Sequence, residues 1–290
     1  MKYLPAIAAA VTSTQVGSAM VATRFVVDQT GPISLALLRY LIGFACLLPL
    51  ALLATPRVRF ERCDLLPLAL LGVIQFGVLI ALLNYGLRFI PSARAALIFA
   101  TVPLLTMVIA AALGHERLGA AKTLGVLLTI AGVGLALGEK AVRRGGGPNE
   151  WIGELAVLAS ALCGAVCSVL YRPYLRKYPT LRVSAFAMLA SVVFLALLAA
   201  GEGFFDALPR FTTGGWAAVV FIGIGSGVGY YLWLWALGHA AATEVTVFLA
   251  LSPVTATWLG AWFLAEEVST MSLLGLAGVL LGLWLASTRS

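Results

Sequence analysis

Nine short breaks, each charged or rich in turn residues, cut this chain into ten apolar stretches. Each stretch is about as long as the roughly 20 residues a helix needs to cross the hydrocarbon core of a bilayer. They are residues 4–27, 32–54, 65–87, 91–113, 119–138, 151–171, 180–200, 214–237, 241–264 and 269–288. Lipid offers no water to an unpaired N–H or C=O, so a spanning segment must bond internally, as a helix. Of the 290 residues, 61% are hydrophobic and 11% charged, against roughly 25% charged in a soluble domain. That excludes a water-soluble globular protein, a disordered chain and a disulfide scaffold. The run after Lys2, with Ala8–Ala10 in the place of a cleavage site, imitates a signal peptide, but it stays apolar to Val27 and reads as a retained first span. The fold class is an all-α membrane protein of ten transmembrane helices.

Charge assigns the sides. Lys2, Arg57, Arg59, Arg62, Arg117, Lys122, Arg172, Arg176, Lys177, Arg182 and Arg289 fall on the side of the even-numbered loops and both termini, eleven in all. The other side has seven: Arg24, Arg88, Arg94, Lys140, Arg143, Arg144 and Arg210. The excess of Lys and Arg predicts both termini in the cytoplasm of a multi-pass protein. The basic residues form no continuous face, so nucleic acid is not an expected partner. Cys63 lies in a loop and Cys46, Cys163 and Cys167 lie in apolar runs, with no CxxC spacing. Cys163 and Cys167 are four apart on one helix face, where small packing residues are a better reading than a metal site.

The chain also repeats itself. Displaced by 150 residues, Leu82–Gly138 lies over Leu232–Thr288 without a gap, and eleven of 57 positions agree. Pro103/Pro253, Glu116/Glu266, Gly125/Gly275 and Gly132/Gly282 are the matches that low-complexity apolar sequence does not readily produce. Each half then holds five spans. Five is odd, so the two five-helix repeats enter the membrane in opposite directions, as inverted repeats of secondary transporters do. The expected units are residues 1–140, a linker 141–150, and an inverted unit 151–290.

A proline, a glutamate thirteen residues on, and GxxxxxxG in the next span resemble the EamA repeat of the drug/metabolite transporter superfamily. Here the pattern occurs twice, as Pro103, Glu116, Gly125, Gly132 and as Pro253, Glu266, Gly275, Gly282. Arg39 in LLRYLIG resembles the arginine this family often carries in its second span. Within the family the chain is most similar to the YddG-type amino-acid exporters. One departure is that the seventh span lacks a matching intramembrane arginine, unless Arg182 at its start serves. The resemblance implies ten helices, cytoplasmic termini, a bacterial inner membrane, and export of small metabolites without ATP.

Candidate solute contacts follow from depth. Pro103 and Pro253 lack the N–H that would bond the carbonyls of Phe99 and Leu249, which frees two acceptors near mid-membrane unless a nearby Ser or Thr satisfies them. Gln15, Gln75, Thr101, Ser226 and Ser252 lie at similar depth, Tyr230 belongs to an aromatic cluster in the eighth span, and Asn84 is too deep to be a loop residue. An unpaired amide in hydrocarbon costs several kcal/mol, so Gln15 and Gln75 must face inward, to bind solute or to hold helices together. Tyr85 and Trp235 match under the 150 offset and would guard opposite mouths of an alternating-access carrier; an interfacial aromatic belt is the alternative, and it suits Trp233. The run Gly223–Gly229 suits close helix packing. Arg39 lies about 10 Å into its helix, where snorkelling or pairing with Asp28 is the simplest reading. Glu154 and Glu244 sit near helix ends. Glu116 and Glu266 close their helices and are expected to fix loop geometry.

Enzyme readings fail on spacing. Ser226 and His239 are thirteen residues apart, or about 20 Å along one helix, beyond hydrogen-bond reach. No GxxxxGK[ST] loop exists, so the chain is not itself a P-loop pump. The expectation is therefore a secondary transporter, not an enzyme, that exports small neutral or zwitterionic metabolites, amino acids above all. It needs no cofactor or metal. Its partners are the small-molecule solute and the lipid bilayer, and nothing in the sequence demands more than a monomer. A lipid-carrier flippase and a non-transporting scaffold or sensor are the rival readings.

Overall fold

A computed structural model describes residues 3–53, 59–114, 149–207, 209–266, 268 and 270–287, with seven positions between 124 and 135. The described residues are helical, joined by short turns, and contain no strand. Eight of the helical segments are long and apolar enough to cross a membrane: Leu4–Gln29, Pro32–Leu53, Arg62–Gly86, Ser92–Ala112, Glu150–Lys177, Thr180–Gly201, Thr213–His239 and Ala242–Leu264. They coincide with the first four and the sixth to ninth stretches of the sequence. Of the fifth stretch, seven positions between 124 and 135 are described, and all are helical. The tenth is the helix Thr270–Ser287.

The third, fourth and ninth spans are interrupted within their length, which the apolar pattern alone does not reveal. Helices α1 (Leu4–Val26) and α2 (Pro32–Leu53) are continuous. The third span is α3 (Arg62–Gly72), a six-residue π-helical turn (Val73–Val78), and α4 (Leu79–Gly86). The fourth is split into α5 (Ser92–Phe99) and α6 (Val102–Ala112), which begins with Pro103 in its first turn. Proline has no N–H for the carbonyl four residues back, so the helix restarts there. The sixth span is α7 (Glu150–Leu170), followed by α8 (Arg172–Lys177); α9 (Thr180–Gly201) and α10 (Thr213–His239) come next. The ninth is α11 (Ala242–Thr246), a 3-10 turn (Val247–Ala250) and α12 (Leu251–Leu264), with Pro253 in the first turn of α12. The last helix, Thr270–Ser287, is α13. The breaks before Pro103 and Pro253 therefore fall at equivalent places in the two sequence repeats.

Helix α1 packs between α10 and α12, α2 lies on α9 and α10, and α7 packs against α4 and α6. Glycine sets the closest approach. A Cβ on Gly227 of α10 would come within 2.8 Å of the Gly43 carbonyl of α2, and one on Gly225 within 2.6 Å of Gln15 Nε2 of α1. The glycine run of α10 thus presents flat surface to two helices at once, which lets dispersion contacts accumulate where no hydrophobic drive exists between helices in lipid. Large apolar side chains such as Leu53, Leu197, Trp262 and Phe263 point outward, the reverse of a soluble fold. Some inward-facing hydroxyls bond within their own helices, as Ser13 Oγ does to the Ala9 carbonyl at 2.7 Å, and others cross to a neighbour, as Thr12 Oγ1 does to the Gly229 carbonyl at 3.1 Å.

Candidate functional site

The two proline breaks and the π-helical turn converge on one cavity. Its wall takes residues from α1, α2, the third span, α5, α6, α7, α10 and the 3-10 turn. The polar points are Arg39, Gln75, Thr12 and Ser168; the aromatic ones are Phe99, Tyr230 and Trp233. The remaining wall is aliphatic. Its volume is about 30 Å³, room for two or three waters at roughly 10–15 Å³ each and not for an amino acid. A solute would have to enter with the walls apart.

Gln75 sits in the π-helical turn and is 4% exposed, and its side chain makes no hydrogen bond to a described residue. A π turn inserts a residue into the helical register and is often found where a side chain must be aimed at a ligand. Beside it, Tyr40 is fully buried, with Phe76 edge-on at 5.4 Å and Tyr230 tilted at 5.9 Å. These rings give the cavity a rigid back wall.

Arg39 departs from the simplest sequence reading. It neither snorkels nor meets Asp28, which pairs instead with Arg24 at 3.6 Å. It is 4% exposed and lines the cavity; its Nε donates to Ser226 Oγ of α10, and its Cζ lies 5.7 Å from the Tyr40 ring centroid. A charge at a helix centre costs about 2.5–3.5 kcal/mol on insertion scales, so its retention inside the bundle points to use.

Of the residues singled out by sequence depth, Gln75, Phe99 and Tyr230 come together on the cavity wall. The others lie elsewhere. Gln15 fills the groove over Gly225 and Gly229, its Nε2 buried without a partner. Asn84 is buried and donates from Nδ2 to the Pro32 carbonyl at 3.0 Å, tying α4 to the start of α2. Thr101 Oγ1 donates to the Ile98 carbonyl and Ser252 Oγ to the Leu249 carbonyl, each at 2.7 Å. The Leu249 acceptor is thus satisfied by a hydroxyl from its own break. Tyr85, 38% exposed, packs edge-on against Phe89, and Trp235 stacks on His239 at 4.2 Å. Neither lines the cavity. Trp233 does, at 5% exposure, rather than joining an interfacial belt. Its position was readable from Tyr230, which is one helical turn away on the same face. Ser168 carried no such signal.

Polar ties at the ends of the helices join distant parts of the chain. Glu202 accepts from Ser34 N at 2.8 Å and Ser34 Oγ at 2.7 Å, capping α2. Arg94 pairs with Glu150 at 2.7 Å and lies 3.7 Å from Glu154. At the opposite end of these spans Lys177 bridges Glu61 and Asp64, both at 2.7 Å, and Tyr178 Oη donates to Asp64 at 2.6 Å. Glu61, Cys63 and Asp64 are the described cluster with ligand atoms near enough for a metal, and the Lys177 ammonium already sits against both its carboxylates.

Comparison with known proteins agrees with this architecture. The family model described as the EamA-like transporter family matches residues 3–138 and again residues 151–288. A protein named "Probable terminal-alkyne amino-acid exporter" from Streptantibioticus cattleyicolor is 31% identical, over 91% of this chain and 88% of that one. One named "Aromatic amino acid exporter YddG" from Ancylobacter novellus is 32% identical over 60% of this chain and 59% of its own length. A solved crystal structure superposes with a TM-score of 0.72 at 25% identity, covering 98% of this chain and 95% of the other.

Proposed function

This chain belongs to the EamA-like transporter family, and on that premise we propose that it exports amino acids, aromatic ones among them, by alternating access through the central cavity. That it is a multi-pass membrane transporter and not an enzyme follows from the family and from its named relatives. The observation that carries the finer reading is the cavity itself. It combines aromatic and aliphatic wall with a buried cation and a buried amide, a lining suited to a zwitterion with an apolar side chain. The printed names of the two exporter relatives support the same solute class.

In this reading the chain has ten transmembrane helices in two inverted five-helix units, residues 1–140 and 151–290, joined by the linker 141–150. The doubled family match, the doubled Pro–Glu–Gly motif and the paired helix breaks support it. Both termini lie in the cytoplasm of a bacterial inner membrane. Gln75, Phe99 and Tyr230 touch the solute. Asn84 ties α4 to α2, Thr101 and Ser252 satisfy carbonyls at the two breaks, Gln15 packs over the glycines of α10, and Tyr85 and Trp235 act at the two mouths.

Counterflow in proteoliposomes tests the function. Vesicles holding purified protein and unlabelled phenylalanine should accumulate labelled phenylalanine from outside, and protein-free vesicles should not. Absence of exchange for phenylalanine, leucine and alanine alike would exclude amino-acid transport.

A further inference from the structure

We propose that Arg39 is the anchor for the solute's carboxylate. This rests on the amino-acid reading above and goes beyond it, because it names the group that is recognised and the side chain that recognises it. The starting point is an unbalanced charge. Among the described residues no carboxylate lies within ion-pair distance of Arg39, and neither Nη1 nor Nη2 makes a hydrogen bond. The acids that reach this part of the chain are committed elsewhere. Asp28, the nearest in sequence, faces Arg24, and Glu202 spends its oxygens on Ser34 and Ile33 at the start of the same helix. Intramembrane arginines are ordinarily paired with acids or carbonyls. Here the missing negative charge has to arrive from outside the protein.

The geometry suits a carboxylate in particular. The bond from Nε to Ser226 fixes the plane of the guanidinium and uses its side edge. What remains is the end, where Nη1 and Nη2 present two parallel N–H groups that match the two oxygens of a carboxylate. Tyr40 lies against the cation and stabilises it without neutralising it. The rest of the wall is largely apolar, so an ion pair formed there is poorly screened and correspondingly strong. Phe99, Tyr230 and Trp233 share the same cavity and would take the side chain of the anchored molecule. An amide or a decarboxylated amine with the same side chain would leave Arg39 unpaired and should be rejected.

Four probes of one shape separate the possibilities: phenylalanine, phenylalaninamide, phenethylamine and 3-phenylpropionate. Ligand-induced thermal stabilisation of the full-length protein in detergent measures each affinity, alongside counterflow. In the unaltered protein the two carboxylates should bind about 30-fold or more tighter than the amide and the amine, the scale of losing a buried charge pair. Arg39→Gln should abolish that preference, and Arg39→Lys should keep a reduced one. If Arg39→Gln does not fold, Arg39→Lys carries the test, and an undiminished acid-to-amide ratio in it overturns the anchor. The same ratio in Arg39→Gln as in the unaltered protein also overturns it, as does an unaltered protein that binds none of the four or ignores the carboxylate. If 3-phenylpropionate binds in an Arg39-dependent way while phenylalanine is neither bound nor exchanged, the anchor stands and the amino-acid reading falls. If phenylalanine exchanges and the ratio is untouched by either substitution, the function stands and the anchor falls.

Discussion

Glu266 Oε2 accepts a hydrogen bond from Ser92 Oγ at 2.6 Å, and its Oε1 accepts from the Ser92 backbone N–H at 2.9 Å. The carboxylate of one sequence repeat thereby caps the first helix of the broken fourth span in the other, where free N–H groups and the helix dipole favour negative charge. The tight end of α12 makes the reach possible. Ala265 is left-handed at φ 52°, and the Glu266 N–H returns to the Gly260 carbonyl at 3.1 Å. This gives the glutamate of the doubled motif a physical reason. Its counterpart Glu116 lies outside the described residues.

Glu266→Ala should therefore destabilise the protein by about 1–3 kcal/mol, the range for losing a charged hydrogen-bonded cap. Gly260→Ala should act through the same contact, since its Cβ would fall 2.6 Å from Glu266 Oε2 and 2.8 Å from Ser92 Oγ. Thermal unfolding in detergent measures both. Unchanged midpoints would mean that the cap contributes nothing.

The two glutamines should separate cleanly. Gln75→Leu removes the cavity amide at nearly constant volume, so counterflow should drop at least about tenfold, the scale of one lost solute hydrogen bond, with the melting midpoint nearly unchanged. Gln15→Leu removes a buried Nε2 that has no partner, so stability should hold or rise and transport should persist. Transport that tracks Gln15 rather than Gln75 would reverse their roles.

Much of this architecture was legible in the chain, and its limits have physical causes. Span positions follow from the bilayer's thickness, and Pro103 and Pro253 marked two breaks because a missing N–H is written in the residue type. The π-helical turn around Gln75 was not legible, because Val73–Val78 holds no proline and reads as ordinary apolar helix. Depth alone grouped Gln15 with Gln75. Which helix face each occupies depends on neighbours far along the chain, such as Gly225 and Gly229. Arg39 was visible as a charge at the wrong depth, and the competing Arg24–Asp28 pair is an i,i+4 contact that spacing alone could signal, whereas the Ser226 partner on α10 is a tertiary fact.

Gly227→Val places a branched side chain where a Cβ alone would stand 2.8 Å from the Gly43 carbonyl. It should separate α2 from α10 and destabilise by about 1–3 kcal/mol or more, with reduced membrane yield. Gly114→Ala makes a useful control for steric effects, since no atom lies within 4 Å of a Cβ there, although its φ of 71° adds some backbone strain. Equal yields for Gly227→Val and the unaltered chain would show that the helices are not held at glycine distance.

Orientation can be read from a native group. Cys63 is the exposed one of the four free cysteines and lies on the side assigned to the cytoplasm. An impermeant maleimide should leave it unlabelled in intact cells and label it after permeabilisation, with Cys63→Ser as the blank. Labelling from outside would invert the assigned topology.

Cavity access is the most direct test of solute passage through the bundle. Ser168 lines the cavity and is 1% exposed, and Ser168→Cys is nearly isosteric. In an otherwise cysteine-free background, a small reagent that modifies the introduced thiol should abolish counterflow, and saturating phenylalanine should slow the modification. Full counterflow after stoichiometric modification of that position would contradict transport through this cavity.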